Sequence, residues 1–170
     1  EREKPALIIN CAAYTAVDKA EDEPLPAFAA NRDGPGMLAQ ACRRRGIPLL
    51  HVSSDYVFDG TRQGAWREED PIGPVGVYAR SKAEGEQLVR EALDEHVILR
   101  TSWVFGAHGG NFVRTMLARI GKNAELRVVD DQRGCPTAAN DLARALMAIA
   151  TRMLSDPAGV AGTYHYANAG

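Results

Sequence analysis

Three short apolar runs, each closing in polar residues, constrain this chain more than anything else in it. Leu7, Ile8 and Ile9 lead into Asn10; Leu49, Leu50, His51 and Val52 lead into Ser53 and Ser54; Val97, Ile98 and Leu99 lead into Arg100, Thr101 and Ser102, the third run continuing as one expected strand through Trp103, Val104 and Phe105 to Gly106. Such runs lack the alternation of a half-exposed strand and read as strands covered on both faces. Between them the apolar residues keep a helical period, through Phe28, Ala29, Met37, Leu38, Ala41 and Cys42 and again through Leu88, Val89, Ala92 and Leu93. Strands alternating with helices predict an α/β fold around a mostly parallel sheet. In such sheets ligands lie beyond the carboxyl ends of the strands, where all three runs turn polar.

The intervening stretches carry their own signals. Residues 18–23 form a charged run that reads as a solvated surface turn, and Gly34-Pro35-Gly36 predicts two helices or one bent helix over residues 24–45. Residues 60–76 hold six glycines and prolines without periodicity, a length and composition typical of a functional loop. Gly106, Gly109 and Gly110 precede a helix expected from Asn111, but neither dinucleotide nor P-loop spacing is present. Leu126-Arg127-Val128-Val129 suggests a short strand, Thr137 a helix cap, and residues 162–166 a last strand.

The helix expected from Val77 bears the most suggestive chemistry. Tyr78 and Lys82 are four residues apart, one turn along the same face. Making a phenol exchange protons near neutrality requires a shift of about 3 units, or roughly 4 kcal/mol. One ammonium about 4 to 5 Å away contributes roughly 3 to 4 kcal/mol at an effective dielectric of about 20. The same spacing also arises on helices with no chemical role, so the pair alone decides nothing. At the strand ends, Ser53, Ser54 and Asp55 suit either substrate hydrogen bonds or loop capping, and Trp103 suits either the core or a ligand wall. Ala12 and Ala13 leave room for a flat ligand or for tight packing, while His51 inside its run reads as a hydrogen-bonded structural histidine.

Composition narrows the partners. The chain has 170 residues and a net charge of −2 with acids and bases interspersed, which gives no reason to expect nucleic acid or an anionic membrane. Arg43, Arg44 and Arg45 precede Gly46 and read as a solvated helix end. Cys11, Cys42 and Cys135 are far apart and lack metal-ligand spacing, so neither a disulfide framework nor a metal site is expected; Cys135 reads as packing, and a reducing, cytoplasmic setting fits best. No apolar run is long enough to span a bilayer.

Five ordered segments then converge: residues 10–21 with Tyr14, Thr15, Asp18 and Glu21; residues 53–60 from Ser53 to Gly60; Tyr78 with Lys82; residues 100–106 with Trp103; and residues 131–137 from Asp131 to Thr137. Together they resemble the dTDP-4-dehydrorhamnose reductases, members of the extended short-chain dehydrogenases, nearly end to end. The resemblance implies a doubly wound, mostly parallel, Rossmann-like domain. It implies NAD(P)H-dependent reduction of the C4 ketone of dTDP-4-dehydro-L-rhamnose to dTDP-L-rhamnose, with NADPH or NADH as cofactor and a nucleotide sugar as partner. By motif position Tyr78 would donate the proton, Lys82 would lower its pKa and hold the nicotinamide ribose, and Ser54, where the family usually has threonine, would polarise the carbonyl. Asp55 and Trp103, with Ser54, would contact the sugar nucleotide; Ala13, Tyr14 and Thr15, with Tyr78 and Lys82, would line the cofactor.

The family's glycine-rich strand-turn-helix is not among these residues, so the resemblance casts residues 1–170 as the central part of one NAD(P)-binding domain with part of the substrate region, incomplete at the N-terminus and short of the C-terminal end. Two other readings stay open at this point: a non-catalytic regulatory or binding subunit of the same fold, which would copurify with a partner enzyme, and a related epimerase or dehydratase, which would not consume cofactor stoichiometrically. The choice between NADH and NADPH and the oligomeric state, a homodimer included, are left open by the sequence.

Overall fold

A computed structural model describes residues 3–120 and 125–169. The three apolar runs become β1 (Ile8–Asn10), β2 (Leu49–Ser54) and β3 (His96–Thr101), joined at one edge by β6 (Gly162–His165). The sheet order is β1-β2-β3-β6 and every pairing is parallel, with Ile8 opposite Leu49, Leu49 opposite His96 and Val97 opposite Gly162. Residues of β2 and β3 alternate between two helical layers, as expected of strands covered on both sides. Leu49 and Ile98 pack with Ala39, Cys42, Val89 and Leu93 from α3 (Gly34–Arg43) and from α4 (Gly76–Ala92) with its C-cap. Leu50, Val97 and Leu99 pack on the opposite side against Leu142, Leu146 and Met153 of α6 (Ala139–Ser155). The doubly wound parallel fold is therefore present.

The charged run expected to be a surface turn forms α1 (Val17–Asp22), because Ala20 in its middle is fully buried and supplies an anchoring face. After it come α2 (Pro24–Phe28), a π-helical turn at Ala29–Asp33, and α3 with Pro35 at its start, so the bend expected around Gly34-Pro35-Gly36 is real. The π turn has a physical cause. Asn31 is buried within it, and a Cβ on Gly85 of α4 would run into the Asn31 carbonyl oxygen, so two helices meet here with no space for a side chain.

Three other expectations need correction. Residues 126–129 form no strand: Val128 and Val129 are exposed and pair with nothing that would satisfy a ladder. Thr137 does not cap α6 but belongs to β5 (Thr137–Ala138), which pairs with β4 (Val104–Phe105), and its hydroxyl donates to the Cys135 carbonyl. The third apolar run breaks between β3 and β4 at Trp103, whose φ of +44° is a left-handed conformation uncommon for a large side chain. The helix expected from Asn111 is α5 (Phe112–Arg119), with the Asn111 side chain accepting from the Arg114 amide.

Candidate active site at the carboxyl ends of the strands

At the end of β2 the Ser54 hydroxyl accepts from the Tyr56 amide (3.2 Å) and donates to Asp55 Oδ1 (3.1 Å), closing a 3-10 turn over Asp55–Val57. Burial raises the Asp55 carboxyl, and the Ser54 hydroxyl and nearby amides oppose that shift. Tyr56 meets Tyr78 edge to face, centroids 5.4 Å apart. Tyr78 itself is buried in the first turn of α4.

The Tyr78 phenol stands above its ordinary pKa, not below it as the Lys82 spacing had suggested. Burial is the chief cause; the nearby Ser54 hydroxyl pulls the other way, and Asp55 and Tyr56 add to the rise. Lys82 turns into the protein instead. It is 2% exposed and donates from Nζ to the Val52 carbonyl at 2.9 Å. Burial lowers its pKa to about 8, with Glu86 opposing. The ammonium is thus bound to backbone inside the protein, and the groups that act on the phenol are Ser54, Asp55 and Tyr56.

A buried polar seam continues from this point between α4 and the sheet. Tyr78, Lys82, Glu86 and Arg90 follow at intervals of four along one stripe of α4. Glu86 receives two parallel bonds from Arg100 of β3 (2.9 and 2.8 Å) and one from Arg90 (2.7 Å). Burial pushes the Glu86 carboxyl up, but the two guanidinium groups outweigh it and hold the group below the usual glutamate range. On β2, His51 is fully buried, its Nδ1 bonded to Asn10 Nδ2 at 3.1 Å. Burial first, then the Lys82 charge, lowers its pKa to about 3, so His51 is a neutral structural residue.

Arg100 also lies 5.1 Å from the centre of the Phe58 ring, and Phe58 stacks on Trp66 at 4.5 Å. His165 bonds Arg100 through Nε2 (3.3 Å) and the Trp66 carbonyl through Nδ1 (3.2 Å), while its amide donates to Glu68 (2.9 Å). The long loop over residues 60–76 is thereby tied to the end of the sheet. Between it and the segment around Cys135 opens a cleft of ≈ 1040 Å³. Asp55, Tyr56, Arg100, Trp103 and Arg133 are among its walls; Ser54, Tyr78 and Lys82 are not. Ser54 bonds to Asp55 and Tyr78 packs on Tyr56, and both of those partners are walls of the cleft. Trp103 is 42% exposed and its indole lies against Gly134, where a Cβ would approach the ring to 2.7 Å.

On the other side of Tyr78, Ala13 and Thr15 are exposed and Tyr14 is half-buried at the end of β1. The Tyr14 hydroxyl is spent on Glu23 (2.9 Å), and Tyr14 packs in the same cluster as Tyr78. Cys11 and Cys135 are exposed and Cys42 buried, so Cys135 is not the packing residue expected. Among the described residues no cluster of His, Cys, Asp or Glu could hold a metal ion, and no helix is long and apolar enough to cross a membrane.

Two residues that sequence reasoning passed over organise this region. Asn31 accepts from the Tyr14 amide (2.9 Å) and donates to both the Tyr14 carbonyl and Ser81 Oγ (3.0 Å each), while Ser81 donates to the Tyr78 carbonyl (2.7 Å). In the sequence Asn31 opens a polar triplet with Arg32 and Asp33, and nothing there marks it as the buried member. Arg100 begins the polar end of its strand, and its partner Glu86 sits one turn beyond Lys82.

Comparison with known proteins matches residues 1–170 to the family described as the RmlD substrate binding domain. A dTDP-4-dehydrorhamnose reductase of Sinorhizobium fredii is 53% identical over 98% of this chain and 56% of its own length. The crystal structure of the dTDP-4-dehydrorhamnose reductase of Bacillus anthracis in complex with NADP superposes with a TM-score of 0.88 at 39% identity, covering 98% of this chain and 57% of that one. A dTDP-glucose 4,6-dehydratase of Streptomyces venezuelae, solved with NAD, shares the fold at a TM-score of 0.79 and 24% identity. The chain spans a little over half the length of the curated relatives it matches.

Proposed function

This chain belongs to the RmlD substrate binding domain family, and from that premise we propose that its gene product reduces the C4 ketone of dTDP-4-dehydro-L-rhamnose to dTDP-L-rhamnose with NADPH or NADH. The observation that carries the reading is the placement of Tyr78 against Tyr56 and of Ser54 against Asp55 at the cleft wall, with Lys82 one turn further along α4, in a chain 53% identical to a reductase of that name.

The residues at hand fit a nicotinamide nucleotide. Lys82 gives one N–H to Val52 and keeps two for ribose hydroxyls. Ala13 and Thr15 stand exposed where β1 ends, small enough for a flat ring to reach the backbone. Ala13, Tyr14, Thr15, Tyr78 and Lys82 would hold the cofactor, whose nicotinamide supplies the hydride when bound.

Tyr78 delivers the proton to the oxygen on C4. A raised phenol pKa keeps that proton in place until negative charge develops on the substrate oxygen. Ser54, whose hydroxyl donates to Asp55 at 3.1 Å, would turn that donor to the same oxygen when substrate is bound and stabilise it there. Lys82, with a pKa lowered to about 8, is mostly protonated near neutrality yet gives up its proton more readily than an ordinary lysine, which suits it to restoring the proton to Tyr78. Asp55 and Trp103 on the cleft wall bind the sugar nucleotide. The test is stoichiometric: one nicotinamide oxidised for each dTDP-L-rhamnose formed by the complete gene product. Conversion of the ketone to an isomer without net nicotinamide oxidation would indicate an epimerase, and no turnover a binding subunit.

A further inference from the structure

Helix α4 carries Tyr78 three positions into its length, yet the helix begins badly by its own means. Its N-cap is Val75, in extended conformation, with no side chain able to accept from the first amides. Upstream lie Gly73 and Pro74 in irregular backbone, so nothing local prevents the first turn from fraying.

The missing acceptor comes from 56 residues away. Glu21 of α1 takes the Val77 amide on Oε1 at 2.7 Å. Gly76 is shaped around the same oxygen. Its φ is +83°, and a Cβ there would lie 2.7 Å from Glu21 Oε1, so backbone conformation and space both require glycine beside this carboxylate. Ala20, next to Glu21, is fully buried and packs in one cluster with Val77 and Tyr78. The far end of α1 is tied back to the end of β1, through Glu23 to the Tyr14 hydroxyl (2.9 Å) and to Lys19 (2.8 Å).

We propose that Glu21 is a positioning residue for Tyr78: its carboxylate closes the start of α4 and so fixes the phenol relative to the β1 to α1 segment that would line the cofactor. The rest of α4 does not depend on it, being held by Ala79, Ala83, Val89 and the Glu86 ion pairs. The consequence falls on the first turn, where Tyr78 sits, and not on the fold. A displacement of that turn by a fraction of an ångström acts on proton delivery and leaves the cleft walls, on other elements, in place.

The inference rests on Tyr78 as proton donor, and the experiment separates the two. Glu21→Ala, Glu21→Gln, Gly76→Ala and Tyr78→Phe are compared in the complete gene product with NADPH and dTDP-4-dehydro-L-rhamnose, alongside hydrogen exchange at the Val77 amide. Glu21→Ala and Gly76→Ala should lower kcat about tenfold with KM for the nucleotide sugar within about twofold. The Val77 amide should exchange faster in Glu21→Ala. Glu21→Gln keeps an acceptor oxygen and should restore kcat to within about twofold. If Glu21→Ala only lowers melting temperature while kcat holds, or if Glu21→Gln loses as much as Glu21→Ala, the positioning role is wrong. If Tyr78→Phe turns over like the parent, the proton-donor assignment fails and this inference with it; if only Tyr78→Phe is slow, the assignment stands and this inference alone falls.

Discussion

Replacing Arg100 with methionine isolates the strongest electrostatic element of the molecule. The guanidinium is 4% exposed, makes two parallel bonds to the fully buried Glu86 carboxylate, and lies over the Phe58 ring. Its removal leaves Glu86 with Arg90 alone, whose side chain is partly solvated. Breaking one side of a buried pair costs about 3 to 5 kcal/mol, chiefly because a carboxylate remains without compensation. The double variant Arg100→Met with Glu86→Leu removes both charges and should recover most of that loss, to within about 1 to 2 kcal/mol of the parent. Urea denaturation of the three proteins gives the coupling directly from the midpoints. The sign with pH follows from Glu86: its folded pKa lies below the ordinary value, so its contribution is present above the unfolded glutamate pKa and is lost as pH falls through the folded one. Additive costs in the double variant, or a single-variant cost under about 1 kcal/mol, would refute the reasoning.

Gly85→Ala drives a methyl into the Asn31 carbonyl at the π turn, where both partners are backbone of packed helices; a loss of about 3 kcal/mol or more is expected in the same denaturation assay, and an unchanged midpoint would mean the two helices part freely. His51, with a pKa of about 3 against 6.5 in the unfolded chain, takes up its proton only on unfolding between those values. Stability should therefore fall as pH drops from about 6.5 toward 3, and the His51 imidazole resonances of the folded protein should show no titration near pH 6. A folded-state midpoint near 6 would contradict the burial argument.

The parts of the fold legible in the sequence were those where burial on both faces leaves a mark on every residue. Leu49, Leu50, Val97, Ile98 and Leu99 could only be strand interior, and the helical period of Leu88, Val89 and Ala92 placed α4 within a residue of its start. Residues 126–129 carry the same apolar signature but nothing lies opposite them, since a strand needs a partner that composition does not reveal. α1 was hidden for the converse reason: five of its six residues contact solvent, and only Ala20 is fully buried, with Val17 packing beside it. At the site, the i to i+4 relation of Tyr78 and Lys82 was readable from spacing, whereas the direction in which Lys82 points was not. That depends on the Val52 carbonyl and on Glu86, contributed by tertiary packing.

Ketone reduction by the complete gene product, measured in a single turnover with Tyr78→Phe beside the parent, bears most directly on how the site works. Loss of the phenol proton with the ring retained should slow the chemical step by about 10² to 10⁴ while binding of the nucleotide sugar is kept. A variant that reduces the ketone as fast as the parent would place the proton donor elsewhere and contradict the account.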